Sequence, residues 1–200
     1  MNYLIDGLPE SIEVEGYEIP LLTDFRQGLL FACNQSEDEI RDLFELFIDY
    51  EEFPSDLEFS EKMIKEMFYK VMAFYSMKGE EEIKKLLEEL ENEEKEEVKP
   101  HSKPPVTSFE EDSGYIYSAF MECYGIDLID IEYLHWWKFK LLLESLSEDC
   151  RYMKIIGYRA MDIDGLSKDQ KKHYLTLKRI YALKDNRTDE EKMASFASGL

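Results

Sequence analysis

Cysteine is scarce: the 200 residues hold three, Cys33, Cys123 and Cys150. An odd, widely spaced set makes no disulfide framework, and no CxxC pair is present to hold a metal or run a redox cycle. Buried thiols in a reducing compartment are the expectation. Long apolar runs are missing too. GLLFAC at 28–33 falls far short of the roughly 20 residues that cross a bilayer. The opening MNYLIDGLPE has neither a basic n-region nor an apolar h-region, so a soluble, unexported chain is expected. The three histidines, His101, His135 and His173, show no HxxxH or HExxH spacing. With no phosphate-binding glycine loop and no nucleophile elbow, the sequence offers no support for an enzyme, a metal or a cofactor.

Basic side chains are the other deficit, 24 against 45 acidic ones, for a formal net charge of -21. The imbalance is uneven: residues 1–100 carry 28 acidic and 10 basic side chains, residues 101–150 carry 10 and 3, and residues 151–200 carry 7 and 11. Such a surface repels nucleic-acid phosphates and anionic membranes, so neither is an expected direct partner unless the small basic region at the end acts separately. Two readings of the charge stay open, general solubility and protection of a sticky assembly factor from aggregation.

Against these absences stand 44% hydrophobic residues with 12 Phe and 13 Tyr, enough for a substantial core. SIEVEGYEIPLL alternates Ile12 and Val14 with Tyr17, Ile19 and Leu21 around Glu15–Gly16, which predicts a small hairpin. Thr23 is the expected cap of a short helix weakened by Gly28, and SEDE, with Ser36 and Glu39, is a capping box ahead of Ile40, Leu43, Phe44 and Phe47. Pro54 falls in the following turn. Ser60 opens a helix with an apolar stripe of Met63, Ile64, Met67, Phe68, Val71, Met72 and Tyr75, ended by Gly79; the methionines read as core filler or as an adaptable groove. The next helix has Ile83, Leu86, Leu87 and Leu90 and then loses its apolar face. After the proline-bearing stretch 99–108, Ile116, Ala119, Phe120 and Cys123 mark a helix that Gly125 ends. Ser147 and Ser167 mark two more starts, the latter with Gln170 completing a capping box. The fold class is therefore mainly α, a bundle of about six to seven helices with an N-terminal hairpin. Residues 1–184 are expected as one domain with an exposed loop at about 91–110; two lobes, 1–98 and 108–184, are the alternative, and 185–200 form a tail. Proteolysis near the loop separates the readings.

YLHWWKFKLLLESL at 133–146 concentrates the aromatic residues beside a histidine. At about 100° per residue, 134–146 form two apolar faces. The wider holds His135, Trp136, Phe139, Leu142, Leu143 and Leu146; the narrower holds Leu134, Trp137 and Leu141. His135 thus reads as a core histidine with satisfied ring nitrogens rather than a ligand or catalyst. The Leu134, Trp137, Leu141 stripe is either internal packing or a partner surface.

TDFR at 23–26, YIYSAFMECYGIDL at 115–128, LHWWKFKLLLESL at 134–146, IIGYRAMDI at 155–163 and LKRIYAL at 177–183 occur in an order that resembles the bacteriophage gp-fifteen family. That resemblance covers most of residues 1–184, with LHWWKF its most specific block. It implies a non-enzymatic tail assembly protein, encoded beside the tape-measure gene of phages of Gram-positive bacteria and working in the host cytoplasm. Its implied partners are the tape-measure protein and the tail-tube protein, and a homo-oligomer is a separate expectation. A different class, an acidic nucleic-acid mimic that blocks a host DNA-binding defence protein, fits the charge of the first hundred residues but leaves the aromatic cluster without a part.

Overall fold

The computed structural model describes residues 2–34, 36, 38–53, 60–93 and 105–184. The expected Pro54 turn, most of the 91–110 loop and the 185–200 tail lie outside those residues. Two compact units are formed, one from Met1–Glu96 with Glu132–Leu142, the other from Glu97–Ile131 with Leu143–Leu200.

The first unit opens with one helical turn, α1 (Tyr3–Asp6), followed by β1 (Ser11–Val14) and β2 (Tyr17–Pro20). The strands pair antiparallel with Val14 opposite Tyr17. Glu15 and Gly16 lie between them at φ 49° and 87°, the two positive values that a tight hairpin connection requires. Val14 and Ile19 point into the core with no exposed surface. Then come α2 (Phe25–Cys33), α3 (Glu39–Phe47), α4 (Glu61–Ser76) and α5 (Glu80–Glu93). Helix α4 packs on α3, α5 and β1 and buries Met63, Met67, Val71 and Phe74; Leu43, Phe47 and Ile48 are buried in the same unit, with Phe47 edge-on to Phe74 at 5.9 Å. Ile64 is left 40% exposed, because the buried line runs through Phe74 rather than along the wider stripe read from the sequence.

Three helix ends differ from expectation. Asp24, not Thr23, caps α2, and Asp38, not Ser36, caps α3 by accepting the Arg41 N–H. A carboxylate at either site adds its charge to the positive helix end, and the hydroxyls are used elsewhere: Ser36 Oγ accepts the Asp38 N–H, and Thr23 Oγ1 bonds Tyr133 Oη. Helix α4 stops at Met77, itself left-handed at φ 59°, while the Gly79 carbonyl accepts the Ile83 N–H at the start of α5. Ser60 caps α4 as read, with its hydroxyl accepting the Met63 N–H.

The second unit contains α6 (Ser113–Tyr124), α8 (Arg151–Ala160) and α9 (Lys168–Ile180); between α6 and α8 the chain forms α7 (Trp136–Glu144), leaving the first unit at Leu142. Gly125 ends α6 at φ 66°, and Ser167 with Gln170 forms the capping box of α9. Ser147 only orders a turn, its hydroxyl accepting the Asp149 N–H, and α8 begins after Cys150. The architecture is mainly helical with an N-terminal hairpin, and the described residues hold nine helices rather than six or seven. The surplus comes from short elements, α1 above all.

Candidate functional site

The two blocks TDFR and LHWWKF meet inside the first unit. Residues 23–25 run antiparallel to 134–136: the Phe25 N–H donates to Leu134 O at 2.8 Å, and the Trp136 N–H to Thr23 O at 2.7 Å. The Asp24 carboxylate caps α2 through the Arg26 N–H at 3.0 Å and also accepts the Leu134 N–H at 3.2 Å. This pairing claims the backbone of Leu134 and the Trp136 N–H, which is why α7 starts at Trp136; it ends at Glu144, so the expected two-faced helix over 134–146 is shorter at both ends.

From that anchor, α7 supplies donors to the last carbonyls of α4, where a helix runs out of donors of its own and Phe74 O has the Met77 N–H at 3.2 Å. Trp137 Nε1–H donates to Phe74 O at 2.7 Å, Trp136 Nε1–H to Tyr75 O at 2.8 Å, and Lys140 Nζ to Ser76 O at 3.2 Å. The rings follow the bonds. Trp136 lies parallel to Tyr75 with centroids 5.5 Å apart, Trp137 stacks on Phe74 at 5.8 Å, and Phe25 stacks on Phe139 at 5.1 Å. Gly28 of α2 gives Trp136 its room, since a Cβ there would fall inside contact distance of the indole. The glycine that argued against α2 is the residue that lets it pack.

His135 is 5% exposed. Its Nδ1 accepts the Trp137 N–H at 3.0 Å, which places the proton on Nε2, facing Pro9 O at 3.0 Å. Burial lowers its pKa, with the Pro9 carbonyl and the Glu10 charge opposing. The folded protein therefore binds this proton less readily than the unfolded chain. The resulting stability is complete above the ordinary histidine value of about 6.5 and is lost as pH falls through the depressed one. His135→Gln is expected to flatten this part of the profile. Denaturant midpoints of both proteins between about pH 7.5 and about pH 5 are the check, and equal slopes would refute it.

Leu134 and Trp137 of the narrow stripe are buried here and Leu141 is half-buried. Tyr3 of α1 sets its ring edge-on to Trp137 at 5.4 Å, while Leu4 and Ile5 are 98% and 79% exposed. The sequence marks that first turn only briefly, with Asn2, whose side chain accepts the Leu4 N–H, before YLI and Gly7 after Asp6.

In the second unit the blocks at 155–163 and 177–183 converge on Arg159. Its guanidinium grips Asp112 with two bonds of 2.7 and 2.8 Å, and donates to Tyr181 O at 2.6 Å and Val106 O at 3.0 Å. Lys178 Nζ returns a bond to Arg159 O at 3.0 Å. Neither Asp112 nor Arg159 was singled out from the sequence; an arginine inside the apolar IIGYRAM was the available sign. Between α6 and α8 lies an open groove of about 380 Å³ with Glu111, Tyr115, Glu122, Arg151 and Tyr152 on its walls. Three of its ionisable groups are turned to structure: Glu111 accepts the Lys184 N–H, Arg151 covers Tyr115, and burial pushes the Tyr152 phenol up to about 12.

Among the described residues, no group of three or more His, Cys, Asp or Glu could hold a metal, and no helix is long and apolar enough to cross a membrane. The junction in the first unit is built from ring packing and side-chain hydrogen bonds to backbone carbonyls, and that in the second from the buried Arg159–Asp112 ion pair with bonds to the Val106 and Tyr181 carbonyls. The sequence model of the family described as Bacteriophage Gp15 protein matches residues 4–183. No curated protein and no solved structure matches the chain.

Proposed function

Because the chain belongs to the bacteriophage Gp15 family, we propose that it is a non-enzymatic tail assembly chaperone. It covers the long tape-measure protein in the host cytoplasm until tail-tube subunits close around it. The observation that carries this reading is the family match across 180 of the 200 residues. The surface supports it. Apolar side chains stand exposed at Leu4, Ile5, Leu30 and Ile40 in the first unit and at Ile129 and Ile180 in the second. Scattered contacts of this kind bind an extended helical partner weakly one by one and firmly together, and each can be displaced as the tube grows. The high negative charge keeps the covered partner dispersed.

Co-expression with a helical tape-measure fragment tests the proposal. The fragment should become soluble and be captured with the chain, and capture should persist at about 0.5 M salt, where surface charge is screened. Leu4→Glu with Ile5→Glu should weaken capture while leaving the melting temperature unchanged, since neither side chain is buried. An insoluble, uncaptured fragment rejects the chaperone. Salt-sensitive capture of a basic DNA-binding protein instead would support the mimic.

A further inference from the structure

Helix α9 runs against the charge of the protein. Across Lys168–Ile180 it carries five basic side chains and one acidic, in a chain whose first hundred residues hold 28 acidic against 10 basic. It is also thinly covered. None of its side chains is buried; Lys168, Lys171, Lys172 and Arg179 are exposed, and Ile180 is 64% exposed beside them. Its C-terminal end is fastened through Lys178 to Arg159 O and through the Tyr181 carbonyl to the Arg159 side chain.

Helix α5 is the complement. It has seven glutamates and two lysines in 14 residues, with Glu81, Glu82, Glu88 and Glu89 exposed and Leu86 38% exposed among them. Its two lysines are engaged with its own glutamates, Lys84 with Glu80 and Glu81 and Lys85 with Glu89, and Lys78 ahead of the helix pairs with Glu82; the glutamates outnumber these cations, so the outward face keeps a net negative charge. Each face presents one exposed large apolar side chain within a field of predominantly one sign, an arrangement that orients an approaching helix and disfavours like-charged partners.

We propose that α9 docks on α5 of a second copy of this chain. The contact joins different faces of the two molecules, so each copy keeps one α9 and one α5 open, and association continues with concentration unless a ring closes. Exposed ion pairs are individually weak and salt-screened, which makes the assembly reversible. This inference does not depend on the chaperone reading, because it needs no tape-measure partner.

Light scattering on the full chain at about 0.05 M and about 0.5 M salt is the test. At low salt the mass should rise with concentration above the 23.8 kDa of one chain, and at high salt it should return to that value. Lys171→Glu with Lys172→Glu should abolish the rise, and so should Glu81→Lys with Glu88→Lys. An equimolar mixture of the two variants should restore it, since each supplies the face that the other has inverted, and restoration also shows that both are folded. A wild-type chain that stays monomeric at low salt overturns the proposal, as does a reversed variant that assembles normally or a mixture that remains monomeric.

Discussion

Arg159→Met is expected to cost the second unit roughly 3–5 kcal/mol of stability, the usual penalty when one member of a buried ion pair is removed. Asp112 has no exposed surface and the Arg159 side chain only 8%. The variant leaves a carboxylate inside the unit with one remaining donor, the Ser108 N–H at 3.0 Å. It also strips the Val106 and Tyr181 carbonyls of donors. The loss should therefore appear locally. Hydrogen exchange at 105–112 and at 177–184 should accelerate strongly, while amides of α4 in the other unit keep their protection. Arg159→Lys keeps the charge but cannot form the two-pronged contact with Asp112, so it should recover only part of the loss. The double variant Asp112→Asn, Arg159→Met should be less unstable than the sum of its parts, because the stranded charge is gone. Additive losses would show that the two residues contribute independently.

What could be read from the chain was local. Ser60, Ser167 with Gln170, Glu15–Gly16 and Gly125 each act within four residues of the structure they dictate, and each does what the sequence predicts. Misreadings arose where distant segments compete for the same groups. Thr23 loses the α2 cap because its hydroxyl serves Tyr133, 110 positions away, and α7 starts late because Thr23 and Phe25 hold the backbone of Leu134 and Trp136. The indoles of the aromatic block at 133–146 pack against the end of α4. Periodicity assigned the block's faces but could not tell that two indole N–H groups and a lysine would finish α4, since helical phase says nothing about hydrogen-bond partners. Asp112 is the sharpest case. It stands at the N-cap of α6, yet it makes no side-chain cap bond, and its carboxylate is given to an arginine 47 residues on.

Trp136→Ala is expected to lower the stability of the first unit by about 3–5 kcal/mol. The indole is 1% exposed, stacks on both Tyr75 and Phe139, and is the closest donor to the Tyr75 carbonyl. The same substitution should change the meaning of Gly28. In the native protein, Gly28→Ala gains roughly 1 kcal/mol of helix propensity but drives a methyl group into the indole of Trp136. Overpacking of this kind costs about 1–3 kcal/mol, so the net effect should be a loss. With Trp136 already alanine the obstruction is absent, the propensity gain remains, and the added methyl fills part of the cavity, so Gly28→Ala should become stabilising. Denaturant midpoints for the four proteins of this cycle give the coupling directly, expected at roughly 2 kcal/mol. The reversal of sign is the decisive feature. If Gly28→Ala is harmful in both backgrounds, the glycine answers to something other than the tryptophan, and the junction of the TDFR and LHWWKF blocks is not what fixes α2 in place.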